Sequence, residues 1–353
     1  MANDHYYNVE NHQIWFAGKE SPFRTLSPQA KDTFAAGITA FPMPIKLRRI
    51  PRFYQRKKKI VQDVAGQLDF GYLAHHGVED FEVTLTGDMY DFSMMYFLTS
   101  LCTTTDNTPT GYYTHTYETD RDPSRATNPP SFPMIYKMVN DEAANANDIW
   151  VYWSGCVIKK ISLSSSNNAM VTCAITILVA KSTVGSTALT TQPTTTIPTV
   201  FDAENAVITF TKGGTAVPGK IEGWEISYET GAYLHKAQGE DTPEEALHAN
   251  RVIKLMLNWR PKYEPDAIVN TDLPTAASDL DCTIKISRDT ANDYVEFKFE
   301  KLWNMAAEDG TWDFNDYWFQ QRLNLIIKPT LYEAGGVLDI TEVNSLDDDR
   351  YET

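Results

Sequence analysis

An alternation of apolar and polar residues in the middle of the chain constrains it to β-structure. Between residues 169 and 181 the apolar side chains at every second position from 171 are Val171, Cys173, Ile175, Ile177 and Val179. Successive side chains of a β-strand point to opposite faces, so these five share one face. Residues 132–139 and 149–164 are also strand-like, and Asn167-Asn168 tolerates the positive φ of a tight turn. The sequence therefore predicts a long hairpin over residues 149–181.

The second half of the chain repeats this strand period. Its alternating apolar runs are Ile253, Leu255, Leu257 and Trp259; Val295, Phe297 and Phe299; and Leu323, Leu325 and Ile327. Two short stretches favour helices: residues 88–101, which Asp88 would cap, and residues 242–247, where Thr242 and Pro243 form a helix-start pattern. The predicted fold class is mainly β.

Composition divides the chain into five segments. The 353 residues are enough for two domains of ordinary size. Prolines punctuate the first segment, and threonines fill the third. The segments are an N-terminal arm (1–65), a first β module (66–181), a Thr-rich linker or loop (182–200), a second β module (201–331) and an acidic C-terminal tail (332–353). We expect the tail to be solvated.

The charge is strongly negative except in one segment. Lys and Arg number 31 and Asp and Glu 47, which gives a net charge of −16. One acid-free stretch, named here the basic arm, contains Lys46, Arg48, Arg49, Arg52, Arg56, Lys57, Lys58 and Lys59. A chain this acidic repels phosphate over most of its surface. We interpret the basic arm as a subunit contact that docks on the acidic surface of another copy. Contact with nucleic acid, aided by Phe53 and Tyr54, and a solvated face are the alternatives.

Residues for catalysis or metal binding form no recognisable pattern. The histidines lack metal-ligand spacing, and phosphate-binding, dinucleotide-binding and nucleophile-elbow motifs are absent. The four cysteines (Cys102, Cys156, Cys173 and Cys282) lie far apart, which favours buried free thiols over a disulfide framework or zinc site. No signal-peptide pattern and no apolar run of about 20 residues is present. We expect a non-enzymatic protein without cofactors or metals and without a membrane partner, made in a reducing cytoplasm.

The two β modules share a weak internal repeat. Gly155 leads to Ile161-Ser162 and an Asn-Asn turn, and Gly219 leads to Ile226-Ser227 and a Thr230-Gly231 turn. Together with the similar lengths of the modules, this favours duplication of one β module.

Several stretches in a fixed order connect the chain with a known family. They are Phe70-Gly71-Tyr72 through Thr86-Gly87, the helix-like residues 88–101, Gly111 to Tyr117, Pro130 to Tyr136, Trp153 to Leu163, Ile221 to Tyr228 and Arg251 to Leu257. In this order, residues 66–331 resemble the tail tube proteins of long-tailed (siphovirus-type) phages and archaeal tailed viruses. The long basic arm and the Thr-rich linker depart from the family pattern.

The resemblance implies a structural protein of the virion, the major subunit of a tail tube. Two tandem tail-tube-type β-sandwich modules, each with a flanking helix, would join between subunits into a closed β-barrel. Two modules per chain imply a homotrimeric, pseudo-hexameric ring, and stacked rings would form the hollow conduit for ejection of viral double-stranded DNA. The implied partners are further copies of the chain and the tape-measure, tail-tip and tail-terminator proteins.

We expect the inner-barrel hairpins to come from the strands around residues 155–180, 220–236 and 251–260. The residues assigned to them are Cys156, Ile158, Ile161, Val171, Cys173, Ile175, Ile226, Tyr228, Leu255 and Leu257. Each phosphate contact adds affinity for DNA, so a lumen that lets DNA pass is expected to be predominantly negative.

Other classes of protein fit part of the pattern. A capsid, minor tail or tail-terminator subunit shares the β-rich, acidic composition. The 8 Trp and 18 Tyr residues would suit a carbohydrate-binding β-sandwich module, although aromatic side chains mostly fill β cores. A glycoside hydrolase on a β-sandwich is the least favoured class, because no catalytic constellation stands out.

Overall fold

The structure, a computed structural model, is built almost entirely of antiparallel strands. It describes residues 13–42, 58–61, 73–76, 81–89, 98, 102–107, 112–119, 130–139, 148–166, 169–185, 188–192, 201, 203–217, 219–237, 240, 242–249, 251–261, 280–288, 293–304, 312–315, 318–327 and 338–344.

The strands are numbered here in chain order. The first ten are β1 (Gln13–Ala17), β2 (Ala40–Pro42), β3 (Lys58–Val61), β4 (Leu73–His76), β5 (Phe81–Asp88), β6 (Cys102–Asn107), β7 (Tyr113–Thr119), β8 (Phe132–Met138), β9 (Ile149–Ser166) and β10 (Thr172–Gly185). A 3-10 turn follows at Ala203–Asn205. The remaining strands are β11 (Ala206–Lys212), β12 (Thr215–Ala216), β13 (Gly219–Glu229), β14 (Ala232–His235), β15 (Glu245–His248), β16 (Val252–Pro261), β17 (Leu280–Ser287), β18 (Tyr294–Asn304), β19 (Trp312–Asn315), β20 (Trp318–Ile327) and β21 (Leu338–Asn344).

Most of these strands form two layers. The first layer has the strand order β5-β10-β9-β13-β16-β20. The second layer has the order β6-β7-β21-β18-β17-β11. The short β19 and the end of β18 both pair with the outer edge of β20, and β18 thereby joins the two layers. The described strands of a single chain form no closed barrel, so the structure is a β-sandwich.

The predicted β9–β10 hairpin is confirmed, and it connects the two predicted modules. β9 pairs with β10 on one side and with β13 on the other, where Leu163 lies opposite Ile226. One hydrophobic cluster fills the space between the layers and includes Ile175, Leu257 and Phe297, each at most 1% exposed. Burial of each such side chain stabilises the fold by about 1.5–3 kcal/mol. The two modules therefore share one sheet and one core.

Residues 13–42 pack against the first module, in contrast to the arm predicted over residues 1–65. β1 pairs with β2 and with β8, and Trp15 is fully buried in a second hydrophobic cluster with Trp150 and Tyr152. The rings of Trp15 and Trp150 stack with centroids 5.4 Å apart. Burial of these aromatic groups, which the proline pattern does not reveal, fixes the segment in place.

The helix predicted at residues 242–247 is wrong. Residues 245–248 form β15, which pairs with β14 and places Ala246 in a small cluster against Val157. Most of the helix predicted at residues 88–101 lies outside the described residues, and Leu98 within it is helical and buried.

The acidic C-terminal tail predicted over residues 332–353 contains a strand of the core. β21 lies between β7 of the first module and β18 of the second. Glu342 on β21 is fully buried, and its Oε1 accepts a hydrogen bond from Asn344 Nδ2 at 3.1 Å. The alternation of Leu338 and Ile340 with polar residues, outweighed in the sequence by the acidic composition, explains the strand.

Candidate functional site

The first layer presents a polar surface on the side opposite the core, named here the polar face. Its residues are Glu82, Thr84, Thr86 and Asp88 on β5; Thr172, Ala174 and Thr176 on β10; Lys160, Ser162, Ser164 and Ser166 on β9; Glu225, Ser227 and Glu229 on β13; and Lys254, Met256 and Asn258 on β16. The strand register aligns them in rows that cross both modules. One such row runs from Thr86 through Ala174, Ser162 and Ser227 to Lys254.

Short hydroxyl side chains dominate the polar face. Ser164 Oγ and Thr172 Oγ1 lie 2.8 Å apart across β9 and β10, and Thr84 Oγ1 lies 3.4 Å from Thr176 Oγ1. Threonine combines a high β-strand propensity with a polar hydroxyl group, so it suits a sheet with one face exposed to water. The result is a broad hydrophilic surface over β5, β9 and β10 in which short hydroxyl side chains separate a few long charged ones, such as Glu82 and Lys160.

Described residues cover one end of the first layer's outward side. There the β14–β15 hairpin packs Ala232 and Ala246 against Val157 and Leu178. Phe23 of the N-terminal segment packs against the same cluster. The covered end is therefore apolar, whereas the polar face begins at Lys160 and continues to the turn end of β9.

Charges on the polar face are nearly balanced. Four carboxylates lie there between β5 and Asn258, those of Glu82, Asp88, Glu225 and Glu229. The ammonium groups are those of Lys160 and Lys254, joined by Lys159, which reaches the face from the adjacent residue of β9 to pair with Glu82. Lys159 Nζ forms an ion pair with Glu82, and Lys160 Nζ lies 3.0 Å from Glu229 Oε1. Beyond Asn258 the same face continues with Lys220, Arg260 and Glu222, so its described charges are balanced.

A groove of 510 Å³ opens at the turn end of the polar face. Its lining residues are Ser164, Ser165, Ser166, Ala169, Met170, Thr172, Trp224, Glu225, Met256 and Asn258. Met170 at its rim is 53% exposed, whereas Trp224 at its base is 4% exposed. Among the described residues that line the groove, Glu225 carries the one carboxylate.

A buried charged cluster joins the N-terminal segment to the β14–β15 hairpin. Arg24 is 2% exposed, and its Nε donates to Asp32 Oδ1 at 2.8 Å. Its Nη1 donates to Thr242 Oγ1 at 3.0 Å and to the carbonyl of Pro243 at 2.7 Å. Buried ion pairs of this kind need such additional hydrogen bonds to offset the loss of hydration.

Glu20 lies beside this cluster and is 5% exposed. Burial raises the pKa of its carboxyl group from 4.5 to about 7, in spite of hydrogen bonds that favour the ionised form. One of these is donated by the backbone N–H of Gly155 to Glu20 Oε2 at 3.0 Å. Glu20 therefore titrates close to neutral pH. Its position in a packed junction indicates a structural role.

The ten residues assigned to the inner-barrel hairpins all point into the core. Each of them is at most 4% exposed, and each belongs to the hydrophobic cluster between the layers. Their strands β9, β10, β13 and β16 do form one sheet, and the alternate residues of these strands form the polar face. The assignment from the sequence covers only the apolar positions of these strands. The pattern that indicates the polar face is serine and threonine at the alternate positions, as in Ser162, Ser164 and Ser166.

Most of the basic arm lies outside the described residues. Lys58 and Lys59 belong to β3, where they lie opposite His76 and His75 of β4. The assignment of the basic arm to a subunit contact stays a prediction.

Within the described ranges, no group of His, Cys, Asp and Glu is placed to hold a metal ion. None of the four cysteines forms a disulfide, and all four are buried. Burial raises the pKa of the Cys173 and Cys282 thiols to about 12, so both remain protonated at neutral pH. No helix in the described part of the chain is long and apolar enough to cross a membrane.

Comparison with known proteins places this geometry in a family. Residues 74–248, from β4 to the end of β15, match the family described as phage tail tube protein. The matched region includes β9, β10 and β13, which carry the centre of the polar face. A search of curated proteins finds no match.

Proposed function

Residues 74–248 of this chain belong to the phage tail tube protein family, and on this premise we propose that the chain polymerises into stacked rings that form a hollow conduit for viral DNA. The family gives the chain a structural role in the virion tail. A non-enzymatic protein is consistent with that role.

The observation that carries the proposal is the continuous first layer. Each predicted module contributes three strands to it: β5, β10 and β9 from the first module, and β13, β16 and β20 from the second. Among the described strands, β5 pairs only with β10, and we propose its other edge as the place where a neighbouring chain adds. Edge-to-edge addition of copies would continue the sheet and cover this edge.

The strand count supports a ring of three copies with pseudo-sixfold symmetry. Three copies of this six-stranded layer would supply about eighteen strands, a number at which closed barrels contain an aqueous channel. Closure requires that β19 and the end of β18, which pair with the outer edge of β20, give way there to the next copy. With strands about 4.8 Å apart and tilted by about 40°, the backbone diameter would be about 36 Å. Short side chains such as Ser162 and Thr176 would leave most of that width free.

The polar face is the surface we assign to the lumen. Its opposite side packs on the core, and its hydroxyl groups and nearly balanced charges offer little affinity for phosphate. The inner-barrel hairpins are then the β9–β10 pair with β13 and β16, as expected from the sequence, and the alternate residues line the channel. Because its described charges are nearly balanced, the lumen we propose is close to neutral, in contrast to the predominantly negative lumen expected from the sequence.

Assembly of the chain is tested by negative-stain electron microscopy of the purified protein at high concentration. Hollow tubes, or rings with threefold and pseudo-sixfold symmetry, are the expected result. A closed dimer or a non-tubular shell would contradict the proposal and would favour a capsid subunit or a binding module.

The lumen assignment is tested with single cysteines, because the four native thiols are buried. Thr84→Cys places a thiol on the polar face, and Glu300→Cys places one on the outward side of the second layer. A bulky polymer-linked maleimide should label both variants before assembly and only Glu300→Cys in tubes. Equal labelling of both variants in tubes would contradict the assignment.

We also propose the tape-measure, tail-tip and tail-terminator proteins as partners and the host cytoplasm as the place of synthesis. The basic arm would dock on an acidic surface of a neighbouring copy. Replacement of Lys46, Arg48 and Arg49 by Gln should then shorten or abolish tubes and leave the folded chain unchanged in circular dichroism. Tubes of normal length would exclude this role.

A further inference from the structure

Two consecutive lysines on the polar face are each held by a carboxylate of a different strand. Lys159 Nζ forms an ion pair with Glu82 of β5, and Lys160 Nζ lies 3.0 Å from Glu229 Oε1 of β13. All four side chains are between 38% and 50% exposed, so their charged groups stand at the surface that the proposed channel would present.

A β-bulge creates this arrangement. Thr176 lies opposite Lys160 while Ile177 lies opposite Ile158, so Lys159 is the extra residue of β9. Without the bulge, alternation would direct one of two consecutive side chains into the core. The bulge instead brings both ammonium groups to the polar face, where Lys159 reaches across β10 to β5 and Lys160 reaches the neighbouring β13.

We propose that Glu82 and Glu229 keep Lys159 and Lys160 from binding the phosphate backbone of duplex DNA. This inference rests on the assignment of the polar face to the lumen. When a free ammonium group contacts a phosphate of DNA, it releases counterions from the DNA, and each such contact increases the affinity of the protein for the duplex. An ammonium group already beside a carboxylate presents almost no net charge to a passing phosphate.

Repetition makes this neutralisation important in a stacked assembly. Every copy would carry the same two lysines, so even weak individual contacts would combine along a bound duplex. Conversely, removal of the lysines would leave the carboxylates of the polar face unopposed and mutually repulsive. Pairs of opposite charge avoid both effects, and the near-equal numbers of carboxylates and cations on the polar face fit this balance.

The test compares DNA binding by the soluble full-length chain and two double variants. Glu82→Gln with Glu229→Gln frees both lysines. The matched control, Glu300→Gln with Asp339→Asn, removes the same amount of charge around Lys298 on the second layer. Lys298 Nζ lies 2.6 Å from Glu300 Oε1 at similar exposure, but it has no adjacent lysine in the sequence. Fluorescence anisotropy with a short labelled duplex, over a range of salt concentrations, gives the affinity.

The first variant should bind the duplex roughly tenfold more tightly than the unmodified chain at low salt, with a log–log salt slope of about −2. Adding Lys159→Ala and Lys160→Ala should return the affinity to its original value. Unchanged affinity in the first variant, an equal gain in the control, or strong binding by the unmodified chain would each overturn the proposal. Because the assay uses soluble protein, a failure to form tubes bears on the proposed function and is scored separately by electron microscopy.

Discussion

Arg24 packs so closely against Gly155 that a Cβ atom on Gly155 would stand 2.7 Å from Arg24 Cγ. The same atom would stand 2.8 Å from Ala180 Cβ, and Gly155 has a φ of +64°, which favours glycine. The N-terminal segment is thus seated on β9 where only glycine fits.

Gly155→Ala should destabilise the protein by about 2–4 kcal/mol, because it adds both an unfavourable backbone conformation and overpacking. Gly214→Ala is the matched control, since Gly214 has a φ of +79° and no atom within 4 Å of the added Cβ. The control should lose about 1 kcal/mol. Urea unfolding measures both, and equal losses would show that the contact with Arg24 is unimportant.

Arg24→Met should destabilise the protein by about 3 kcal/mol, because it leaves Asp32, whose side chain is only 13% exposed, without its guanidinium partner. Lys31→Met tests an exposed pair of the same region, in which Lys31 Nζ lies 2.5 Å from Glu244 Oε2. That pair should contribute at most about 1 kcal/mol. Limited proteolysis should also cut residues 18–36 faster in Arg24→Met. A loss confined to Lys31→Met would contradict the assignment of Arg24 as the main link.

Stability should fall as the pH rises through about 7, because the pKa of Glu20 is raised from 4.5 to about 7 in the folded chain. The folded chain favours the protonated carboxyl group of Glu20. The stabilisation that this group gives the fold is therefore complete below about pH 4.5 and is lost above pH 7. A shift of this size corresponds to about 3 kcal/mol between the two limits.

Glu20→Gln should remove most of this dependence, whereas the exposed Glu240→Gln should keep it. Urea midpoints at pH 5 and pH 8 give the comparison. His248 acts in the opposite sense at lower pH, since burial lowers its pKa to about 4 and its contribution is lost as the pH falls toward that value. An identical pH profile in Glu20→Gln and the unmodified chain would disprove the role of Glu20.

Leu257→Asn and Asn258→Leu should differ sharply, because adjacent residues of β16 face opposite sides of the first layer. Leu257 is fully buried, and its replacement by Asn should cost about 4 kcal/mol. Asn258 is exposed on the polar face, and its replacement should change stability by about 0.5 kcal/mol or less. Thermal unfolding by circular dichroism checks both values. The reverse order would mean that the faces of β16 are wrongly assigned.

The sequence predicted the strands and their buried faces well where alternation is local. Val171 to Val179 and Ile253 to Trp259 are buried as predicted, because a period of two is fixed by the strand itself. The pairing of Leu163 with Ile226, which merges the two modules, depends on contacts distant in sequence and has no local pattern.

Tertiary contacts also explain the errors. The helix start at Thr242 and Pro243 is a sound local pattern, but Arg24 binds both residues and Ala246 is needed against Val157. In the same way, the acidic composition of the C-terminal segment suggested a solvated tail, although Glu342 is buried.

The position of β21 has a consequence for the order of synthesis. The strand fills the place between β7, which ends at Thr119, and β18, and it begins only at Leu338. At about 5–20 residues per second, a ribosome needs roughly 10–45 s to make the intervening chain. During that time β7 has one edge without its final neighbour. The nascent chain therefore gains its complete second layer only when translation has passed residue 344, and subunits with finished sandwiches are available for assembly only after that point.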